Sequence, residues 1–102
     1  MKTLTLSLKK KWFDMIKSGE KKEEYREINR YWIARLATLI VPPDTVLCIK
    51  NFDTLVFTLG YPKADDTERR LMFKNPRIYI GTGKPEWGAE PGKQYFVITW
   101  EA

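Results

Sequence analysis

Residues 3–8, Thr-Leu-Thr-Leu-Ser-Leu, alternate polar and apolar side chains with period two, which predicts a first strand whose leucines face a core. The period then changes. Trp12, Phe13, Met15 and Ile16 fall at helical spacing with lysines on the outer face, predicting a short helix over 9–18 that Gly19 stops. Residues 20–28 are highly charged yet carry Tyr25, Ile28 and no breaker, and they read as a second strand. Asn29 stands as the N-cap of a second helix. Its stripe is Trp32, Leu36 and Leu39, with Ile33 and Ile40 beside it and Pro42-Pro43 ending it. Strands over 45–50 and 54–59 follow, joined as a hairpin by Asn51-Phe52-Asp53. Residues 61–67 make a polar loop, and strands are expected over 68–74 and, beyond Asn75-Pro76, over 77–80. Residues 81–92 hold four of the six glycines and form the longest loop, before a closing strand over 94–100. The sum is about seven strands and two short helices, both helices in the first half. That is an α+β chain, mainly β, and a small β-barrel plugged or flanked by the helices is the economical architecture.

Composition supports one core. The 102 residues are 43% apolar and 14% aromatic, which makes 1–102 a single domain and excludes the composition of disordered chains. The formal charge is +5: residues 1–35 carry ten Lys/Arg against five Asp/Glu, and the remainder carries eight against eight. An anionic partner follows from that N-terminal surplus, although extra lysines also keep small domains in solution. The chain has no His, which removes Ser-His-Asp chemistry, histidine general bases and His-ligated zinc. Its one cysteine, Cys48, makes no internal disulfide or thiolate cluster, and its apolar neighbours Val46, Leu47 and Ile49 predict a buried structural thiol. No metal and no cofactor are expected. Met1-Lys2 leads into no apolar leader segment, and no run approaches the roughly 20 apolar residues of a membrane span. The expectation is a soluble, cytoplasmic protein with no membrane partner, a monomer being favoured.

The candidate chemistry is concentrated in Gly19-Glu20-Lys21-Lys22-Glu23-Glu24-Tyr25-Arg26-Glu27, four acids and three bases in nine residues. One reading is a solvated edge strand laced with ion pairs. Strand alternation sets Lys22, Glu24 and Arg26 on one face and Lys21, Glu23 and Tyr25 on the other. If Tyr25 packs inward, Lys21 and Glu23 go with it, unless an irregular start to the strand turns Lys21 aside. A sheltered Lys–Glu pair has shifted pKa values and marks a candidate site.

The same stretch reads Gly19-x-Lys21-x-x-Glu24-x-Arg26, which resembles the G-x-K-x-x-E-x-R signature of the ASCH domain family, in the PUA-like superfamily of small β-barrels. Leu6-Ser7-Leu8-Lys9, Trp12-Phe13 and Ile16-Lys17-Ser18-Gly19 are similar to that family's strand–helix approach to the motif, and Glu86-Trp87-Gly88-Ala89 to its late loop. The resemblance covers essentially the whole chain. It implies a PUA-like barrel of about six to seven strands. It also implies an RNA-binding role, with the signature residues lining a cleft. Some members are small hydrolases that remove the acyl group of N4-acetylcytidine, and ribonuclease activity is attributed to others. In the amidohydrolase branch the motif lysine works with a threonine three residues later as nucleophile, assisted by a distant glutamate. Here Lys21 is kept, but Glu24 replaces that threonine, and a carboxylate does not inherit an alkoxide's role. Asp66, Glu68 and Glu86 are the candidates for the distant acid.

Lys21 and Arg26 suit a phosphate or a carbonyl, and Glu24 suits a base's exocyclic amine or the positioning of the two cations. Tyr25, Tyr61 and Trp87 are the candidate stacking partners for a base, whereas Trp12, Trp32 and Trp100 fall on apolar faces and are expected in the core. Lys9 and Lys10, beside Lys11, together with Arg69, Arg70 and Arg77, compose a nucleic-acid surface, with Arg30 and Arg35 on the polar side of the second helix. Gly81-Thr82-Gly83-Lys84 lacks phosphate-loop spacing. Three roles stay open: a module that binds RNA, a nucleotide or a modified nucleoside; a hydrolase with Lys21 and Glu24 catalytic; and a protein-interaction module.

Overall fold

The computed structural model describes residues 2–40 and 46–101. Seven strands and two α-helices form among them. Their order is β1 (Thr3–Leu8), α1 (Lys10–Lys17), β2 (Glu24–Glu27), α2 (Arg30–Leu36), β3 (Ala37–Ile40), β4 (Val46–Ile49), β5 (Thr54–Leu59), β6 (Arg70–Thr82) and β7 (Gln94–Glu101). A single 3-10 turn occupies Pro85–Trp87. Five strands make one sheet in the order β1-β5-β6-β7-β2, and β3 pairs with β4 as a separate ribbon. Only the β1–β5 pairing is parallel, in the register Leu4↔Leu55 and Leu6↔Phe57.

Alternation explains where the core lies. Leu4, Leu6 and Leu8 of β1 point inward, against Leu55 and Phe57 of β5 and Phe13 and Ile16 of α1. β7 is covered on both faces: Phe96 and Ile98 enter this main core, while Tyr95 and Val97 join Tyr25 and Ala89 in a second, smaller cluster. A strand covered on both faces reads as a continuous apolar run, as 95–98 does. Trp100 packs edge-on against Phe57, as expected of a core residue. Burial of this kind is worth about 25 cal/mol per Å² of apolar surface and is the main force holding the fold.

β1 and β2 are the two edges of the large sheet, and no ladder joins them among the described residues. A closed barrel is therefore not found. One side chain crosses the seam: Arg26 on β2 donates from Nη2 to the Ser7 carbonyl on β1 at 3.1 Å.

Several expectations are corrected. The second strand is confined to four residues, with 21–23 outside it. The second helix ends at Leu36, because Ala37–Ile40 pairs with β4 and a strand ladder displaces the helical continuation. Pro42-Pro43 and Thr45 lie outside the described residues. The segments around Asn51-Phe52-Asp53 are not a hairpin, since β4 pairs with β3 while β5 pairs with β1 and β6. Asn75-Pro76 does not separate two strands. It is a bulge within β6, with Asn75 at φ 51° and a register shift between Lys74 and Arg77. β6 also runs on to Thr82, which shortens the long loop. Cys48 is exposed, because Leu47 and Ile49 take the inward positions of β4. No helix among the described residues is long and apolar enough to cross a membrane.

Candidate functional site

The end of α1 delivers Lys21. Ser18 caps the helix, Gly19 adopts φ 86°, and the Lys21 N–H returns to donate to the Met15 carbonyl at 2.9 Å. Only a residue without a Cβ takes that left-handed turn cheaply. The reversal tucks Lys21 under the helix, where it is 2% exposed, with Nζ 4.4 Å from the centre of the Trp12 ring. Glu24 opens β2 and is 4% exposed. Lys21 Nζ donates to Glu24 Oε1 at 2.6 Å, and the Tyr25 N–H donates to the same oxygen at 3.2 Å. Glu24 Oε2 faces Arg26 Nη2 at 3.2 Å and accepts no hydrogen bond from the described residues. One acceptor oxygen therefore keeps capacity for a ligand.

The irregular start of β2 decides the pairing. The sheltered partner of Lys21 is Glu24, not Glu23. Tyr25 packs inward on the other side, and Glu23 goes with it: Tyr25 Oη donates to Glu23 Oε1 at 2.7 Å, and Tyr79 Oη to Glu23 Oε2 at 3.3 Å. The Lys84 N–H donates to Tyr25 Oη at 3.0 Å, which ties the late loop to β2. Gly83 permits this close approach, since a Cβ there would stand 2.6 Å from the Tyr25 ring.

Burial governs the electrostatics. Desolvation lowers the Lys21 pKa from the ordinary lysine value, outweighing the opposing pull of Glu24. Arg26 is lowered by burial in the same way, against Glu24, and Arg35 lowers it further. Tyr25 is raised by burial of its hydroxyl, opposed by the Lys84 N–H and assisted by Glu23.

These groups line a cleft of about 550 Å³. Lys9, Lys21 and Arg26 supply its cations, and Glu24, Glu27 and Glu90 its anions. Trp12, Trp87 and Tyr95 form aromatic walls. Arg26 and Ser7 also border a second groove of about 550 Å³ on the far side of the seam.

Of the residues singled out by sequence, Lys21, Glu24, Tyr25, Arg26, Trp87 and Lys9 meet in the first cleft. Tyr61, 95% exposed, and Arg70 line the second groove instead. Lys10 pairs with Asp14 on the outer face of α1, Arg69 pairs with Asp66, and Arg77 lines a separate hollow beside Phe52. Lys9 and Arg70 thus border the two hollows that share Arg26, while Lys10, Arg69 and Arg77 line neither. Asp66, Glu68 and Glu86 are not among the residues lining the cleft; its further acids are Glu27 and Glu90. Trp12 was expected in the core and instead lines the cleft, and Trp32 packs on the core while also lining the second groove. The signal for Trp12 lies in the helix itself. Phe13 and Ile16 set the buried stripe three residues apart, and Trp12 stands about 70° from its centre, at its edge. Arg35 carries no local signal beyond its charge. No family model, no curated protein and no solved structure matches this chain.

Proposed function

We propose that this chain is an RNA- or nucleotide-binding module of the ASCH type, taking a base in the Lys21–Glu24–Arg26 cleft. The observation that supports this reading is the buried carboxylate of Glu24, held between two cations with an oxygen still able to accept. A base with an exocyclic amine, cytosine above all, offers the matching donor. Trp87 provides a stacking wall. Its ring is covered by the exposed Lys84 ammonium at 4.5 Å. An exposed cation–π contact is worth about 0.5–1 kcal/mol, whereas a stacked base is worth about 1–3 kcal/mol, so the base displaces the lysine. In this reading the fold is a PUA-like barrel whose last seam, between β1 and β2, is bridged by Arg26 rather than by a ladder.

The hydrolase alternative asks more of the same residues. Glu24 Oε1 already accepts from two donors, and Oε2 is paired with Arg26, so a water-activating base would have to break a buried ion pair. Binding asks for no such change.

The test is equilibrium binding of cytidine, uridine and a short single-stranded RNA. Cytidine should bind about tenfold or more tightly than uridine, one matched contact being worth about 1–3 kcal/mol. RNA affinity should fall steeply between about 50 and 200 mM salt, as phosphate contacts demand. Equal or absent binding of both nucleosides overturns the base-reading role. Turnover of N4-acetylcytidine by the parent, lost in Glu24→Gln, replaces binding with hydrolysis.

A further inference from the structure

Among the described residues, the second groove holds three guanidinium groups and no acid. Arg26 reaches it from β2, Arg35 from α2 and Arg70 from the start of β6, and no Asp or Glu is among the residues lining it. Arg35 donates to the Thr5 carbonyl at 3.2 Å and to the Tyr31 hydroxyl at 3.4 Å. Arg70 donates to the carbonyls of Pro62 and Lys63 at 3.3 and 3.2 Å. Neither meets a carboxylate among the described residues, and the nearby Asp66 is paired with Arg69. Arg26 Nε and Arg70 Nε are buried with no hydrogen-bond partner among the described residues. Native proteins leave few such donors orphaned, and a buried N–H without a partner costs free energy until one arrives.

The groove also concentrates like charge. Arg26 and Arg35 both pack on the Trp32 ring, at 5.0 and 5.3 Å from its centre. Their mutual repulsion is part of what lowers the Arg26 pKa. Guanidinium groups stay protonated regardless, so the fold cannot relieve the repulsion by releasing a proton. A bound anion relieves it. Three planar forks arriving from three elements suit a group with several oxygens and high charge, as phosphate has, better than the two oxygens of a carboxylate.

We propose that this groove is a phosphate-binding site, and that it takes the phosphate of the nucleotide whose base occupies the neighbouring cleft. This deepens the base-binding reading and rests on it for the source of the phosphate, though not for the anion site itself. Arg26 is the shared wall, facing Glu24 on one side and the groove on the other. The balanced cleft accepts the neutral part of the ligand, and the arginine groove accepts its charge.

The experiment titrates four probes into the intact protein: inorganic phosphate, cytidine, cytidine monophosphate and a cytidine dinucleotide with one internal diester. Affinities are measured by calorimetry, and the Nε–Hε signals of Arg26 and Arg70 are followed by NMR. Inorganic phosphate alone should shift both signals. The phosphorylated probes should bind at least about tenfold more tightly than cytidine, as expected of charge-assisted bonds. Arg35→Gln should lose that gain while leaving cytidine affinity intact, and Arg35→Lys should keep part of it. Gain with the monophosphate assigns the site to a terminal phosphate, and gain with the dinucleotide assigns it to a strand. Phosphate that leaves both signals unmoved, or phosphorylated probes no tighter than cytidine, overturns the anion site. Phosphate binding with no cytidine binding instead overturns the base cleft and leaves this site standing.

Discussion

The two hollows on either side of Arg26 have equal volumes, about 550 Å³ each, and opposite electrostatic character. In the first, three cations meet three anions, and the buried ones are already joined. In the second, Arg26 has its acidic partner in the neighbouring cleft, and Arg35 and Arg70 meet no carboxylate among the described residues. A closed network sets side chains in place and leaves a shaped, nearly neutral opening. In the groove Glu24 offsets the Arg26–Arg35 repulsion from one side only, and a bound anion would offset it further. The difference also divides their roles in stability: the first cleft joins β2 to Lys21 and Trp12 through buried charge, while the groove's arginines are held by carbonyls and by the Trp32 ring.

The largest expected effect follows from that division. Glu24→Gln strands Lys21 and Arg26, whose side chains are 1% and 18% exposed, without their common anion. Breaking a buried pair from one side costs about 3–5 kcal/mol, a large part of the roughly 5–15 kcal/mol that holds a domain together. Arg35→Gln removes one of two repelling guanidiniums and should shift stability by less than about 0.5 kcal/mol. Urea denaturation of both variants checks the contrast. Equal losses would mean that the arginine groove is as structural as the cleft.

That contrast was only half legible in the sequence. Lys21, Glu24 and Arg26 stand in one nine-residue run whose charge density announces itself. Arg35 and Arg70 reach the groove from α2 and from β6, and their approach depends on pairings that no local pattern contains. The same distinction runs through the fold. β1, α1 and β7 follow their own periodicity and appear where it places them. The end of α2 does not, because Ala37, Leu39 and Ile40 fit a helix as well as a strand, and β4 decides between them. β5 follows β4 closely in sequence yet takes its parallel partner from residues 3–8. Cys48 is a similar case: an apolar run says that a strand packs on something, but only the register says which side.

A smaller effect probes the late loop that supports the first cleft. Gly83→Ala places a Cβ 2.6 Å from the Tyr25 ring and 2.7 Å from the Ala89 Cβ. The ring is fixed by bonds to Glu23 and to the Lys84 backbone, so it cannot simply turn away. Overpacking of this kind costs about 1–3 kcal/mol. Cytidine affinity should drop with it as Trp87 moves, while phosphate affinity at the arginine groove is retained. Gly81→Ala, whose Cβ would come no closer than 3.2 Å, to the Tyr79 ring edge, should cost less when the two variants are compared by thermal melt.

The smallest effect is a slope rather than a loss. Guanidinium groups are not deprotonated in proteins, so the stability difference between the parent and Arg35→Gln should be flat with pH. The first cleft should respond in two opposite directions. The Tyr25 pKa is raised by burial, so the unfolded phenol ionises first, near pH 10. The advantage of the parent over Tyr25→Phe should hold below that pH at about 1 kcal/mol and fade above it. Lys21 is lowered by burial, so the unfolded chain binds more protons between that lowered value and about 10.4. Across that window the parent should gain stability relative to Lys21→Met as pH rises. Urea midpoints measured for the three pairs from neutral to alkaline pH decide the matter. A flat Lys21 profile would mean that the pull of Glu24 cancels the cost of burying the ammonium, and a falling one that it exceeds that cost. Either would overturn burial as the dominant influence on this group.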